Sequence, residues 1–319
     1  MNFYLKTFLN VIAVTIPIFS IILIGYLFKK KQIIKETAVP ALNKIAYYLG
    51  LTTLVFTSIV KYNLKEIFNI GIVKTLYVTF AIFIVVVFLI VFFLKINKKT
   101  KGAYAISAFR CNMAFIGIPI IVSAFGEVAA AKTAIIIGFM TPVNIIFAII
   151  FLKVLGGQDE KIHFGKLLID FIRDPLLIAS ILAIIISYFK IIIPKPIMDL
   201  LNILAGLAVP LALLTIGASF KISHIRKNLK LLSSASFLKL VIEPAIAFII
   251  GRYLFKINPT DIGITVILFA MPLAVAAYIM GKEYDSDSDF ISSSLIISTT
   301  SSAFTLTLWL FLIKIIFKS

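Results

Sequence analysis

Ten apolar stretches follow one another along the chain, separated by short basic or turn-rich pieces. They cover roughly 8–28, 38–59, 70–94, 103–125, 130–152, 176–193, 200–220, 231–254, 261–281 and 290–314. A helix needs about 20 mostly apolar residues to cross a hydrocarbon core, so each stretch predicts a spanning helix. The longest polar gap, Lys153 to Asp174, contains Gly156-Gly157 and Asp159-Glu160-Lys161 and lies between stretches five and six. It divides the chain into a first five-helix unit at 1–152, a linker at 153–175 and a second five-helix unit at 176–319. Five is odd, so the two units enter the membrane in opposite senses. If their folds are related they form an inverted repeat.

Two stretches are poorly made for plain spans. The fourth contains Ala108 to Gly126, reading AFRCNMAFIGIPIIVSAFG. Arg110 and Asn112 place polar groups in it, and Gly117 and Pro119 interrupt it. Proline removes a backbone donor and clashes with the preceding turn, so the helix is expected to break there. The ninth carries Pro272 near its centre and ends in Gly281-Lys282-Glu283, as the fourth ends in Gly126-Glu127. A small-residue run opens the next helix in both cases, Ala129-Ala130-Ala131 and Ser292-Ser293-Ser294. Proline-interrupted segments at matching positions of two halves point to a transporter's substrate site. Half-helices beginning at Pro119 and near Pro272 would each present unpaired backbone N–H groups and the positive end of a helix dipole. Two such ends form a site for an anion. Gly117, Ile118, Pro119, Met271 and Pro272 are the candidates there.

Composition turns these stretches into membrane helices. The chain is 61% hydrophobic and 14% charged, with a mean hydropathy of +1.11. A soluble domain of this size cannot hide that much apolar surface. The net charge of +17 suits basic loops of a membrane protein and gives no reason to expect nucleic acid. Lys29, Lys30, Lys31 and Lys35 follow stretch one, and Lys95, Lys98, Lys99 and Lys101 follow stretch three. Lys153, Lys161, Lys166 and Arg173 follow stretch five, and Lys221, Arg226, Lys227 and Lys230 follow stretch seven. The opposite connections are poorer: Lys6, Lys61 with Lys65, Lys132, Lys190 with Lys195, Arg252 with Lys256, and Lys314 with Lys318. Basic loops stay in the cytoplasm, which places both termini outside a multi-pass plasma-membrane protein. The start is not a cleavable signal, since the first apolar run ends in Tyr26-Leu27-Phe28-Lys29 rather than in small residues. The single Cys111 excludes an intrachain disulfide.

FRCNMAFIGIPI in stretch four, VPLALLTIGASF in stretch seven and FAMPLAVAAYIMGKEYDSD in stretch nine resemble the auxin efflux carrier family. That family groups prokaryotic permeases for small carboxylates with the plant PIN-type transporters. The resemblance covers essentially the whole chain. It implies ten helices in two inverted repeats, with broken helices four and nine crossing at mid-membrane. It also implies a scaffold from about 8–59 and 176–220 that forms a homodimer. A transport domain from about 70–152 and 231–314 then moves as an elevator. Asn112 matches the asparagine that contacts substrate near the family's crossing. The chain departs from the pattern at Leu51-Thr52-Thr53, where the family often has a proline, and matches the plant Val-Pro-x-x-Phe motif only loosely. The implied substrate is a small organic anion, with no particular carboxylate named.

Other polar residues have two readings each. Arg110 attracts anions into the cavity or snorkels to the cytoplasmic edge. Asn144, behind Thr141-Pro142, lines the same cavity or joins two helices. Tyr278 and Met271 wall the site or pack in the core. Lys44 and Asn43 line polar space near the scaffold, or Lys44 snorkels. Lys239 and Glu243 lie four apart, on one side of a helix; they form an internal ion pair, or Glu243 carries a coupled proton. Asp285-Ser-Asp287-Ser-Asp289 lacks the glycine and glutamate of a calcium loop, so capping of helix ten by Asp289 is expected. His163 and His224 have no partners for a metal. No GxxxxGK motif serves an ATP-driven pump, and no cofactor is expected. The drive is a proton or sodium gradient or uniport. The paired groups of an intramembrane enzyme are missing. Sodium-coupled uptake and a ligand sensor that does not transport remain the competing functions.

Overall fold

The computed structural model describes residues 3–62, 69–157, 172–220 and 229–317. Lys65, Lys161, His163, Lys166, Lys221, His224, Arg226, Lys227 and Lys318, named above, lie outside the described residues. The described chain is helical: α1 Phe3–Lys30, α2 Val39–Ile45, α3 Thr52–Val60, α4 Ile70–Phe93, α5 Lys98–Phe109, α6 Met113–Phe125 and α7 Glu127–Leu155. It continues through α8 Pro175–Tyr188, α9 Lys195–Ala205 and α10 Ala208–Ala218, α11 Leu229–Leu254, α12 Pro259–Phe269, α13 Val275–Glu283 and α14 Ser288–Phe317. Six described helical stretches are long and apolar enough to cross a membrane, and α6, α8 and α12 are shorter apolar helices. Large apolar side chains face outward, among them Phe93, Ile192, Ile203 and Phe304, as lipid contact requires.

Short polar residues start several helices. Asn69, Asn97, Asp174 and Asn258 each accept a bond from a backbone N–H in the first turn of α4, α5, α8 and α12, satisfying donors that have no intrahelical partner. Gly126, at φ +84°, turns the chain between α6 and α7 in a conformation that glycine adopts without strain.

α1 packs along α10 with almost no separation. A Cβ on Gly25 would lie 2.0 Å from the Leu214 carbonyl oxygen, and one on Gly217 would lie 1.8 Å from that of Ile22. The reciprocal glycines set that approach, as small residues do where helices meet in lipid. α3 packs against α8 and α9, while α11 and α14 pack together and against α5. Around Asp261 the starts of α4, α7 and α12 are tied together by charge. Its buried carboxylate accepts from Lys132 at 2.6 Å, Asn258 at 2.6 Å and Asn69 at 2.7 Å. Lys132 therefore sits within α7 as the partner of a buried acid, not in the connection between stretches four and five.

At α14 the cap differs from expectation. Asp287, not Asp289, accepts the Phe290 N–H at 3.0 Å, because the helix begins one residue before Asp289. Asp287 also accepts from Thr100, and Asp285 pairs with Lys99. The acidic stretch docks on the first turn of α5 and has no need of a metal to explain it.

Candidate functional site

Both irregular stretches are unwound, and the unwound pieces touch. α5 ends at Phe109 and α6 begins at Met113; α12 ends at Phe269 and α13 begins at Val275. Between them the Asn112 N–H donates to the Pro272 carbonyl at 2.9 Å, and the Ala274 N–H donates to the Arg110 carbonyl at 3.0 Å. The resulting bridge, Cys111 opposite Leu273, is antiparallel. The two broken helices thus run in opposite directions where they meet, and each satisfies backbone groups the other leaves open.

The first break is not where proline was expected to put it. The half-helix begins at Met113, and Pro119 lies inside it. Residues Met113–Gly117 form a wide π-turn in which the Gly117 N–H reaches the Asn112 carbonyl at 3.2 Å. That wider turn precedes a residue with no N–H to give. In the second stretch Pro272 does lie in the unwound piece, three residues before α13 begins. Gly117 is a packing position: a Cβ there would come within 3.1 Å of the Leu268 side chain.

A cavity of about 580 Å³ opens beside the bridge. Both half-helix N-termini line it, through Met113, Ala114 and Phe115 on one side and Ala274, Val275 and Ala276 on the other. Of the residues named from the sequence, Arg110, Asn112, Asn144, Tyr278, Asn43 and Lys44 line it as well. Gly117, Ile118, Pro119, Met271 and Pro272 are buried behind the wall. For Met271 the core-packing reading is the one observed.

Two donors converge here without partners. Asn112 is 3% exposed. Its Oδ1 caps α6 by accepting the Phe115 N–H at 3.2 Å, while its Nδ2 has no acceptor. The Arg110 guanidinium has buried, unpartnered Nε and Nη1 and forms no ion pair among the described residues. Arg110 lines the cavity together with Tyr47, and its backbone carbonyl is part of the bridge. Asn144 Nδ2 donates to the Met140 carbonyl within its own helix at 2.9 Å, leaving Oδ1 unpartnered. A buried charge without a counter-charge is costly, so this pocket suits a ligand that brings a negative charge.

Sequence reasoning missed the facing wall. Tyr47 donates to Asp174 at 2.7 Å and stacks on Phe115, with ring centroids 6.1 Å apart. Asp174 also caps α8 through bonds to the Leu176 and Leu177 N–H groups, both 3.0 Å. The Asp174-Pro175 pair is a helix-start signal that could have been read; its pairing with Tyr47 could not. Lys282, whose Nζ lies 4.9 Å above the Tyr278 ring, also lines the cavity. Lys29, Lys44, Arg110 and Lys282 against Glu36 and Asp174 make the lining basic on balance.

The family model described as a membrane transport protein matches residues 10–310. The chain belongs to this family. It is the group to which the auxin efflux carrier resemblance pointed. Curated relatives match over nearly their full length. An uncharacterized transporter of Methanocaldococcus jannaschii is 27% identical, over 93% of this chain and 96% of its own. A "Putative malonate transporter" of Rhizobium meliloti is 24% identical over 96% of each. An uncharacterized transporter of Escherichia coli is 25% identical over 94% of this chain and 97% of its own. Membership in a membrane transport family agrees with the helical architecture, and the relatives are transporters rather than enzymes.

Proposed function

We propose that this membrane transport protein is a secondary transporter of a small organic anion, a mono- or dicarboxylate, moved by alternating access about the crossing. The observation that carries the reading is the pair of unpartnered buried donors, Arg110 and Asn112, in a cavity faced by two half-helix N-termini. A carboxylate would accept from the guanidinium and the amide and lie against the positive ends of both dipoles. A relative whose printed name includes malonate supports the substrate class.

The packing supports a division of labour. Val39, Pro40, Lys44, Tyr47, Asp174 and Leu176 line the cavity from α2, its continuation and the start of α8. Arg110, Asn112, Asn144 and Tyr278 face them from the other helices. Apart from Asp174, at the end of the linker, the first group belongs to a scaffold at 8–59 and 176–220, which pairs with a second copy. The second belongs to a transport domain at 70–152 and 231–314, which slides with its ligand. The antiparallel bridge supports an inverted repeat, since the two broken helices run in opposite directions where they meet; the ten-helix count and termini outside the plasma membrane rest on the apolar stretches and on the basic loops after odd-numbered stretches.

The test is ligand-induced thermal stabilisation of the purified chain by malonate, acetate, succinate and a neutral amide control, repeated on Arg110→Gln. Stabilisation by a carboxylate that Arg110→Gln loses supports the reading. A flat response to every carboxylate, or equal stabilisation of the variant, overturns it.

A further inference from the structure

The front of the crossing gathers positive helix ends; its back gathers negative ones. α5 ends at the Phe109 carbonyl, and α12 ends at that of Phe269, both beside Cys111. Half-helix C-termini and unwound carbonyls at a transporter crossing are the usual ligands of a coupling cation. Here that place is filled by a side chain. Lys239 Nζ donates to the Phe109 carbonyl at 2.9 Å, to Glu243 Oε2 at 2.5 Å and to Cys111 Sγ at 2.6 Å. Cys111 in turn reaches Glu243 Oε2 at 3.7 Å and the Phe269 carbonyl at 3.8 Å. Lys239 and Glu243 are both fully buried.

The local helix is shaped for this. Lys239 sits in a π-turn, Leu238–Ile242, a widening that often marks functional positions. Pro244 follows directly and cannot bond the Leu240 carbonyl; Trp309 Nε1 does so instead at 2.9 Å. The ammonium therefore has a helix-end carbonyl, a carboxylate and a thiol around it, and Glu243 Oε1 remains without a donor.

We propose that the Lys239 ammonium is a tethered cation occupying an alkali-ion site behind the crossing. The chain then needs no sodium to hold its two broken helices together or to bind its anion. Lys239 balances Glu243 and the carbonyl end of α5 permanently, with Cys111 standing between it and the Phe269 carbonyl of α12, where an exchangeable ion would do so transiently. That no sodium is needed for the anion rests on the transport reading; the cation site itself stands on the geometry of the ammonium.

The experiment compares the melting temperature of the purified full chain in sodium, lithium, potassium and choline chloride at equal ionic strength, with no organic anion present. The wild type should melt at the same temperature in all four salts. Lys239→Ser vacates the site and leaves Glu243 buried and unpaired. It should be restored saturably by sodium or lithium but not by choline, and adding Glu243→Gln to it should remove that response. A saturable sodium effect on the wild type overturns the proposal, as does a folded Lys239→Ser chain indifferent to all four salts. If Lys239→Ser folds in none of them, the wild-type comparison decides. Because no carboxylate is used, failure here is separate from failure of the anion reading, which the malonate response measures.

Discussion

The Asn112 N–H donates to the Pro272 carbonyl at 2.9 Å, joining a residue of each half of the chain at the point where both helices are unwound. The Asn112 backbone thereby fixes the crossing, its Oδ1 starts α6, and its Nδ2 is left without an acceptor, the group proposed to meet the anion. One residue carries three tasks because the break lies at its position rather than at the proline seven residues later.

Asn112→Ala keeps the backbone bond to Pro272 and removes the other two functions. Loss of the cap should cost about 1 kcal/mol, and loss of a hydrogen bond to a charged ligand about 1.5–3 kcal/mol of binding. The variant should purify as a folded protein with a slightly lower melting temperature, while its carboxylate affinity by isothermal calorimetry falls by roughly ten- to a hundredfold. Unchanged affinity would remove Asn112 from the site.

Arg110→Lys separates charge from shape. A lysine keeps the positive charge but not the planar pair of donors that matches a carboxylate. Affinity should fall less than in Arg110→Gln and still well below the wild type, read in the same titration. Equal affinity for Arg110→Lys and wild type would mean that Arg110 acts through the field alone.

Pro119→Ala should leave the fourth segment broken. The unwinding at 110–112 is held by the bridge to Pro272 and Ala274 and by the Asn112 cap, not by Pro119. A structure of the variant should show the same Asn112–Pro272 bond with the π-turn at Met113–Gly117 relaxed toward a regular helix. A continuous helix through 110–118 would return the break to proline.

Glu243→Ala should destabilise strongly, by about 3–5 kcal/mol, because it leaves a buried ammonium without its carboxylate. Lys239→Met with Glu243→Leu should recover much of that loss, since an apolar pair of similar volume carries no desolvation cost. The measure is a double-mutant cycle in thermal unfolding. Additive losses would show that the two side chains do not depend on each other.

Gly217→Ala places a methyl group 1.8 Å from the Ile22 carbonyl oxygen. Backbone atoms cannot turn aside as a flexible side chain can, so α1 and α10 must separate, at a cost of about 1–3 kcal/mol. Folded yield by size-exclusion chromatography should drop, and Gly138→Ala, with open space around its Cβ position, serves as the control that should not change it.

The apolar stretches and the irregularity of the fourth and ninth were legible in the chain, because membrane insertion demands long runs of one chemistry and leaves polar or proline residues conspicuous within them. The Lys239–Glu243 pairing was legible too, since a spacing of four fixes two side chains on one helix face. What tertiary structure decided was every relation between distant residues. It moved the first break from Pro119 to Arg110–Asn112, because the bond that the Asn112 N–H donates to the Pro272 carbonyl competes with the local helix there. It put Met271 and Pro119 behind the wall, gave Asp287 the cap expected of Asp289, and brought Tyr47 to Asp174 across more than a hundred residues. Most tellingly, spacing alone places Lys239 beside Glu243, but only the meeting of α5, α11 and α12 places its ammonium on the Phe109 carbonyl at the back of the crossing. A local pattern fixes which groups share a face; which carbonyl a buried charge finds depends on how the helices pack.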